Sequence, residues 1–193
     1  MHLKLFVASD IHGSSFYCKK LLDRYYAEQA DRILLLGDIL YHGPRNELPD
    51  QYSTKPVAAM LNERAGDIFA VRGNCDSEVD QMVLEFPIMA DYCVLSIGDR
   101  LIYATHGHLF GEMNPPLLHD GDILLCGHTH VPACRRHTKE ADPAVASGSS
   151  FIYMNPGSVS IPKENSWHGY MLIDENGCVW KDLDGMEMMR YQF

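Results

Sequence analysis

Five short stretches of the chain each close an apolar run with a side chain able to hold a metal ion. Asp10-Ile11-His12 offers a carboxylate and an imidazole two residues apart, Gly37-Asp38 a second carboxylate, and Gly73-Asn74 an amide carbonyl. His106-Gly107-His108 and Gly127-His128-Thr129-His130 add imidazoles. Such a mixed set, without thiolates, suits Mn²⁺, Fe²⁺ or Zn²⁺ in a reactive centre better than a Cys-bound structural zinc. Asp10, His12, Asp38, Asn74, His106, His128 and His130 are too many donors for one tetrahedral ion. Shared between two ions with one carboxylate bridging, they give open sites roughly 3.5–4 Å apart, the geometry of two-metal phosphoryl chemistry. Taken singly, a His after a strand is usually a hydrogen-bonded structural residue and a Gly-Asp is a turn; the ordered series is what carries the reading. An Fe(II) oxygenase triad of two His and one carboxylate would leave Asn74, His128 and the second aspartate unexplained.

These donors need strand ends to stand on, since ligands collect at the carboxyl ends of strands in open α/β sheets. Leu3 to Ser9 reads as a strand. Cys18, Leu21, Leu22 and Tyr25 follow at the spacing of one helix face. The pattern repeats with a strand Ile33 to Leu36, a turn-rich loop, and a helix Pro56 to Ala65 capped by Ser53 or Thr54 and stopped at Gly66. A third strand, Ile68 to Val71, runs into Gly73-Asn74-Cys75-Asp76, with Asp76 placed to cap a helix from Ser77. Three such units imply right-handed crossovers and a largely parallel half-sheet. Beyond about residue 91 the chain turns to short β runs: Tyr92 to Ile97, Leu101 to Thr105, Ile123 to Cys126, Val131 to Arg135, Phe151 to Met154, Tyr170 to Ile173 and Cys178 to Lys181. Gly98-Asp99 and Asn176-Gly177 suit hairpin turns, and the second half should form a second sheet packed on the first. Thr138 to Ser149, rich in Ala, Ser and Gly, reads as a mobile loop. Met186, Met188 and Met189, with Tyr191 and Phe193, suit an edge strand or an oligomer contact, with plain packing the expectation.

Length and composition fit this plan. At 193 residues, 46% hydrophobic and 22% charged, the chain reads as one globular domain over residues 1–193. With 16 basic against 26 acidic residues the net charge is −10, which argues against long nucleic acid as a partner. A bound metal pair would reverse the local potential for a small phosphorylated substrate. The six cysteines form no CxxC pair and read as reduced thiols, and no stretch suits a signal peptide or a membrane span. No membrane partner and a cytoplasmic location are the expectation.

From Asp10 to His130 the order D-x-H, G-D, G-N-[HC]-[DE], G-H and G-H-x-H resembles the calcineurin-like metallophosphoesterase superfamily. Segments Tyr41 to Asn46, Arg72 to Met82, Thr105 to Gly111 and Asn155 to Lys163 look closest to its small bacterial YfcE-type phosphodiesterases. The resemblance implies an α/β fold, a four-layer αββα sandwich of two mixed sheets flanked by helices. It implies two divalent metal ions, Mn²⁺ foremost, with Zn²⁺, Fe²⁺ or Ni²⁺ as alternatives. Asp10, His12, Asp38 and His130 resemble the ligands of one ion, and Asp38, Asn74, His106 and His128 those of the other, with Asp38 bridging. Small phosphodiesters would be hydrolysed by a metal-bridging hydroxide without a covalent enzyme intermediate. Relatives of this kind are often dimers or tetramers, so a homo-oligomer is an expectation.

One position departs from the pattern. Many members carry a His where this chain has Cys75, and there it protonates the leaving oxygen; a thiol with an ordinary pKa near 8.5 is a poorer acid than imidazole. Diesters with good leaving groups should therefore be preferred over alkyl monoesters. His108 is the other candidate proton donor, and with Asp38 and Cys75 completes the catalytic candidates. Arg45, Arg72 and Lys163 are the cations expected to meet a phosphate. A protein-binding scaffold on the same fold is the rival function, but scaffolds of this kind carry a degraded metal set and here every donor is present.

Overall fold

The computed structural model describes residues 3–138 and 150–193. The stretch expected to be a mobile loop therefore lies, from residue 139 on, outside the described residues. Strands β1 (Leu5–Ala8), β2 (Arg32–Leu35) and β3 (Ile68–Ala70) pair in parallel in that order. The apolar runs of β1 and β2 are buried almost without interruption, as strands covered on both faces must be, while edge strand β3 leaves Phe69 half exposed. Helix α1 (Ser15–Glu28) starts at Ser14, whose hydroxyl accepts a hydrogen bond from the Tyr17 N–H at 3.2 Å. It lays Cys18, Leu21, Leu22 and Tyr25 on the sheet. Helix α2 (Thr54–Asn62) covers the same face; Ser53 holds its cap position without making a capping bond, and Gly66 falls in a 3₁₀ turn, Ala65–Asp67.

The third helix, α3 (Glu78–Gln81), corrects one expectation. Ser77 is its cap, in a reciprocal pair with Asp80, and Asp76 does other work. Strands β4 (Tyr92–Ile97), β5 (Arg100–Thr105), β6 (Ile123–Leu125), β7 (Ala133–His137) and β8 (Phe151–Asn155) form a second mixed sheet in the order β4-β5-β6-β8-β7. The last three strands, β9 (Gly169–Asp174), β10 (Gly177–Asp182) and β11 (Glu187–Gln192), do not join it. They return to the first sheet, giving the order β11-β10-β9-β1-β2-β3. Antiparallel β9 pairs with β1 because Met171 and Ile173 face the space between the sheets, beside Leu5 and Val7. The β4–β5 turn is Gly98-Asp99 as read from the sequence, whereas the β9–β10 turn is Glu175-Asn176 and Gly177 already belongs to β10.

Between the two sheets lies a core of Val7, Leu34, Ile102, Leu125, Met154 and Trp180 among others. The outer face of the second sheet, with Leu124, Phe151 and Tyr153, packs on Leu118 from the irregular segment between β5 and β6. Among the described residues this segment, rather than a helix, makes the fourth layer of the sandwich. Met189, Tyr191 and Phe193 pack on the inter-sheet core from edge strand β11, while Met186 and Met188 are exposed. No described helix is long and apolar enough to cross a membrane.

Candidate metal centre

The loops after β1, β2, β3, β5 and β6 converge at one end of the sandwich, and all seven donors read from the sequence meet there. Asp10, His12, Asp38, His128 and His130 have φ values of 58°, 48°, 54°, 67° and 62°. Left-handed backbone costs a non-glycine residue about 1–2 kcal/mol, so five of them at one place mark strain that the surroundings hold. Neighbouring glycines make the close approach feasible: a Cβ on Gly73 would collide with the Asp38 carboxylate, and one on Gly127 with the Ser9 hydroxyl.

The donors form two groups. In the first, the Asp10 Oδ1 lies 3.2 Å from His130 Nε2 and 3.6 Å from His12 Nε2, and the two imidazole nitrogens are 3.3 Å apart. In the second, His106 Nε2 lies 3.1 Å from Asn74 Oδ1 and 3.2 Å from His128 Nδ1. Asp38 Oδ2 stands between them, 3.7 Å from His12 Nε2 and 3.5 Å from His106 Nε2. Its other oxygen accepts the Cys75 backbone N–H at 2.8 Å.

Backbone carbonyls fix the rings. The Nδ1–H groups of His12, His106 and His130 donate to the carbonyls of Tyr41, Leu36 and Ile161 at 2.8, 2.6 and 2.6 Å. A carbonyl only accepts, so each ring turns its Nε2 lone pair toward the centre. Lone pairs facing one another at these distances require a shared cation or proton. The Asp10 Oδ1 is fully buried yet makes no well-formed hydrogen bond. Orphaned carboxylate oxygen, facing imidazole lone pairs and an amide carbonyl are what divalent ions would satisfy, so the residues fit the group. Burial pushes the Asp10 carboxyl up, but the imidazoles of His12 and His130 beside it hold it well below the usual carboxylate range. Burial and the neighbouring His106 both push His128 down, which favours the neutral, ligating ring.

Asp76, inside the third motif, and the Asn155 to Lys163 segment, noted in the sequence only for its resemblance, support this geometry through partners that the sequence did not reveal. The Asp76 carboxylate accepts the backbone N–H groups of Asp38, Ile39 and Gly73 at 2.8, 2.9 and 2.7 Å. Ser158 and Ser160 donate their hydroxyls to the Asp10 carbonyl at 2.9 and 3.1 Å, and Asn155 donates to Gly127 at 2.7 Å. The Asn155 to Ser158 turn is thus the clamp that joins the first and fifth donor loops.

Over the donors opens a cavity of about 430 Å³ onto which Arg45, Asn46, Cys75, Thr129 and Lys163 also face. The structure does not bring Arg72 there: its guanidinium pairs with Asp91 at 2.9 Å, on the His108 side. Cys75 Sγ comes within 4.8 Å of donor atoms of His12 and Asp38. Burial, reinforced by the Asp38 carboxylate, pushes its thiol up to about 12. The His108 ring centroid is 5.4 Å from that of His106, and burial together with His106 pushes its pKa down.

Two packed mixed sheets with carboxylate, amide and imidazole donors on their converging loops define a metal-dependent phosphoesterase, a hydrolase of phosphoester bonds. The chain belongs to the calcineurin-like phosphoesterase superfamily, whose domain pattern matches residues 3–177. It is 43% identical to phosphodiesterase YfcE of Escherichia coli (strain K12) over 174 residues, 90% of this chain and 89% of that one. It matches the solved structure of E. coli YfcE, described as a phosphoesterase, with a TM-score of 0.90 and 40% identity over 98% of this chain and 99% of that one. Vacuolar protein sorting 29 from Cryptosporidium parvum shares the fold alone, with a TM-score of 0.58 at 18% identity over 100% of this chain and 99% of that one.

Proposed function

We propose that the chain hydrolyses small phosphodiesters at a pair of divalent ions, Mn²⁺ foremost, shared through Asp38. The observation that carries this is the position of Asp38 Oδ2, about equally far from His12 of one donor group and His106 of the other. Asp10, His12, Asp38 and His130 would hold one ion, and Asp38, Asn74, His106 and His128 the other. Two ions, when bound there, supply Lewis acidity toward water and toward the phosphoryl oxygens. Arg45 and Lys163 bind the substrate's negative charge from the cavity wall, Arg45 able to do so with two parallel hydrogen bonds. Cys75 faces the cavity where many relatives carry an imidazole, and a thiol is the poorer acid toward a leaving oxygen, so the arm that leaves must be a good leaving group such as an aryl oxide. His108, kept neutral near pH 7, orients that oxygen through a hydrogen bond. The reading takes residues 1–193 as one domain working in the cytoplasm on small substrates, as a homo-oligomer, and not on long nucleic acid or membranes.

Hydrolysis of an aryl phosphodiester by chelator-stripped protein, with and without added Mn²⁺, tests the reading beside Asp38→Asn. Mn²⁺ should restore turnover to the wild type, and Asp38→Asn should fall by at least about 10³-fold while remaining folded. Absence of turnover with any divalent ion in folded protein would favour the scaffold function.

A further inference from the structure

The cavity above the donors has a neighbour. This pocket, of about 310 Å³, lies behind the turns that carry His106 and His128, on the outer face of the second sheet; Thr129 lines both. A third cavity, beside α2 and α3, shares no lining residue with either. The two neighbouring cavities differ in chemistry. Arg45, Asn46 and Lys163 face the first. The second has Cys126 and Tyr153 at its buried floor, His108 at its mouth, and Leu109 and Met113 at its rim. Glu112, the carboxylate among its lining residues, is already held by Arg135 at 2.6 Å and His137 at 2.9 Å, so the pocket offers little free charge. Among the described residues, Leu109 and Met113 are 43% and 73% exposed, apolar surface that a bound ring would take out of water.

A phosphodiester carries two arms on one phosphorus. With the phosphoryl group at the donor centre, two cavities lined in common by Thr129 offer each arm its own surroundings. We infer that the Leu109–Met113 pocket takes one arm of the substrate, a planar and largely apolar ring of aryl size, while the Arg45–Lys163 cavity takes a polar or anionic one. This rests on the reading of the centre as a phosphodiesterase site. The preferred substrates are then asymmetric diesters, and the volume suits a single ring with its linker.

Binding of methylphosphonate and phenylphosphonate to the Mn²⁺-loaded protein, measured by calorimetry, isolates the pocket from turnover. The phenyl compound should bind about tenfold more tightly. In Leu109→Ala and Met113→Ala that advantage should shrink severalfold, whereas Arg45→Ala should weaken both ligands and keep their ratio. Both rim residues are exposed, so their truncation leaves the core intact. A phenyl advantage that is absent, or that survives both rim substitutions, overturns the pocket while methylphosphonate binding upholds the centre. If neither phosphonate binds the loaded protein, the centre itself is misread and the inference falls with it.

Discussion

Two clusters of polar groups, one partly buried on the first sheet and one buried where the loops of both sheets converge, are built on opposite rules. At the edge near β10, the Glu28 carboxylate at the end of α1 accepts from Lys181 at 2.6 Å and from the Tyr170 hydroxyl at 2.9 Å, with Lys4 at 3.4 Å. Donors meet acceptors there and the cluster closes on itself. At the strand ends, Nε2 faces Nε2 across 3.3 Å, an oxygen of Asp10 goes without a bond, and five residues hold left-handed backbone. A cluster that serves structure satisfies its own groups. One that serves chemistry leaves them aimed at something the chain does not supply, and relies on its surroundings to hold them so.

The largest effect that would break this contrast is at Asp76, the group that gives the strained centre its support. Asp76→Ala leaves three buried backbone N–H donors of Asp38, Ile39 and Gly73 without their acceptor. The expected cost is about 3 kcal/mol in urea unfolding, with a fall in kcat/KM beyond tenfold as Asp38 loses its position. Asp76→Asn, which keeps one acceptor oxygen, should recover part of both. If Asp76→Ala retained full activity, the centre would not depend on the held backbone.

A smaller effect sharpens the contrast from within the centre. Cys75→His introduces a proton donor with a pKa near neutrality in place of a thiol pushed up to about 12. Rates on diesters with poor leaving groups, and on alkyl monoesters, should rise severalfold while rates on 4-nitrophenyl diesters change little. An unchanged dependence of rate on leaving-group pKa would show that Cys75 has no part in protonating the leaving oxygen.

The donor residues were legible in the sequence because each lies within a few positions of the strand that carries it: the apolar run, the glycine and the donor are neighbours in the chain. Which partners hold them was not. Asp76 looks like a helix cap because Ser77 and a helix follow it, but two of the three N–H groups it accepts belong to Asp38 and Ile39, on another strand's loop. Arg72 sits inside a motif beside Asn74, yet Asp91 captures it. Similarly, the apolar runs in β9 and β10 announce strands without saying which sheet they join, and the tail that forms β11 was expected only to pack; pairing with β1 is decided by the match of Met171 and Ile173 to the inter-sheet core. Motif spacing encodes what is local, and long-range partners of buried polar groups are encoded only in the packed whole.

The smallest effect belongs to the closed cluster, and its sign follows from linkage. Burial pushes the Glu28 carboxyl up, but hydrogen bonds from Lys181 and Tyr170 outweigh it and hold the group below the ordinary carboxylate value. A carboxyl lowered in the folded state stabilises the fold above its unfolded value, about pH 4.3, and that contribution is lost as the pH falls through the lowered value. Glu28→Gln should therefore cost about 1 kcal/mol at pH 7, a figure kept small because Lys4 and Lys181 are partly in water. The difference from wild type should shrink steadily below pH 4 and respond to added salt. Mn²⁺-dependent turnover should be the same in both proteins, since nothing in this cluster reaches the donors. A stability difference that persisted unchanged at pH 3 would mean that Glu28 acts through packing, and the two clusters would then differ in more than how their charges are satisfied.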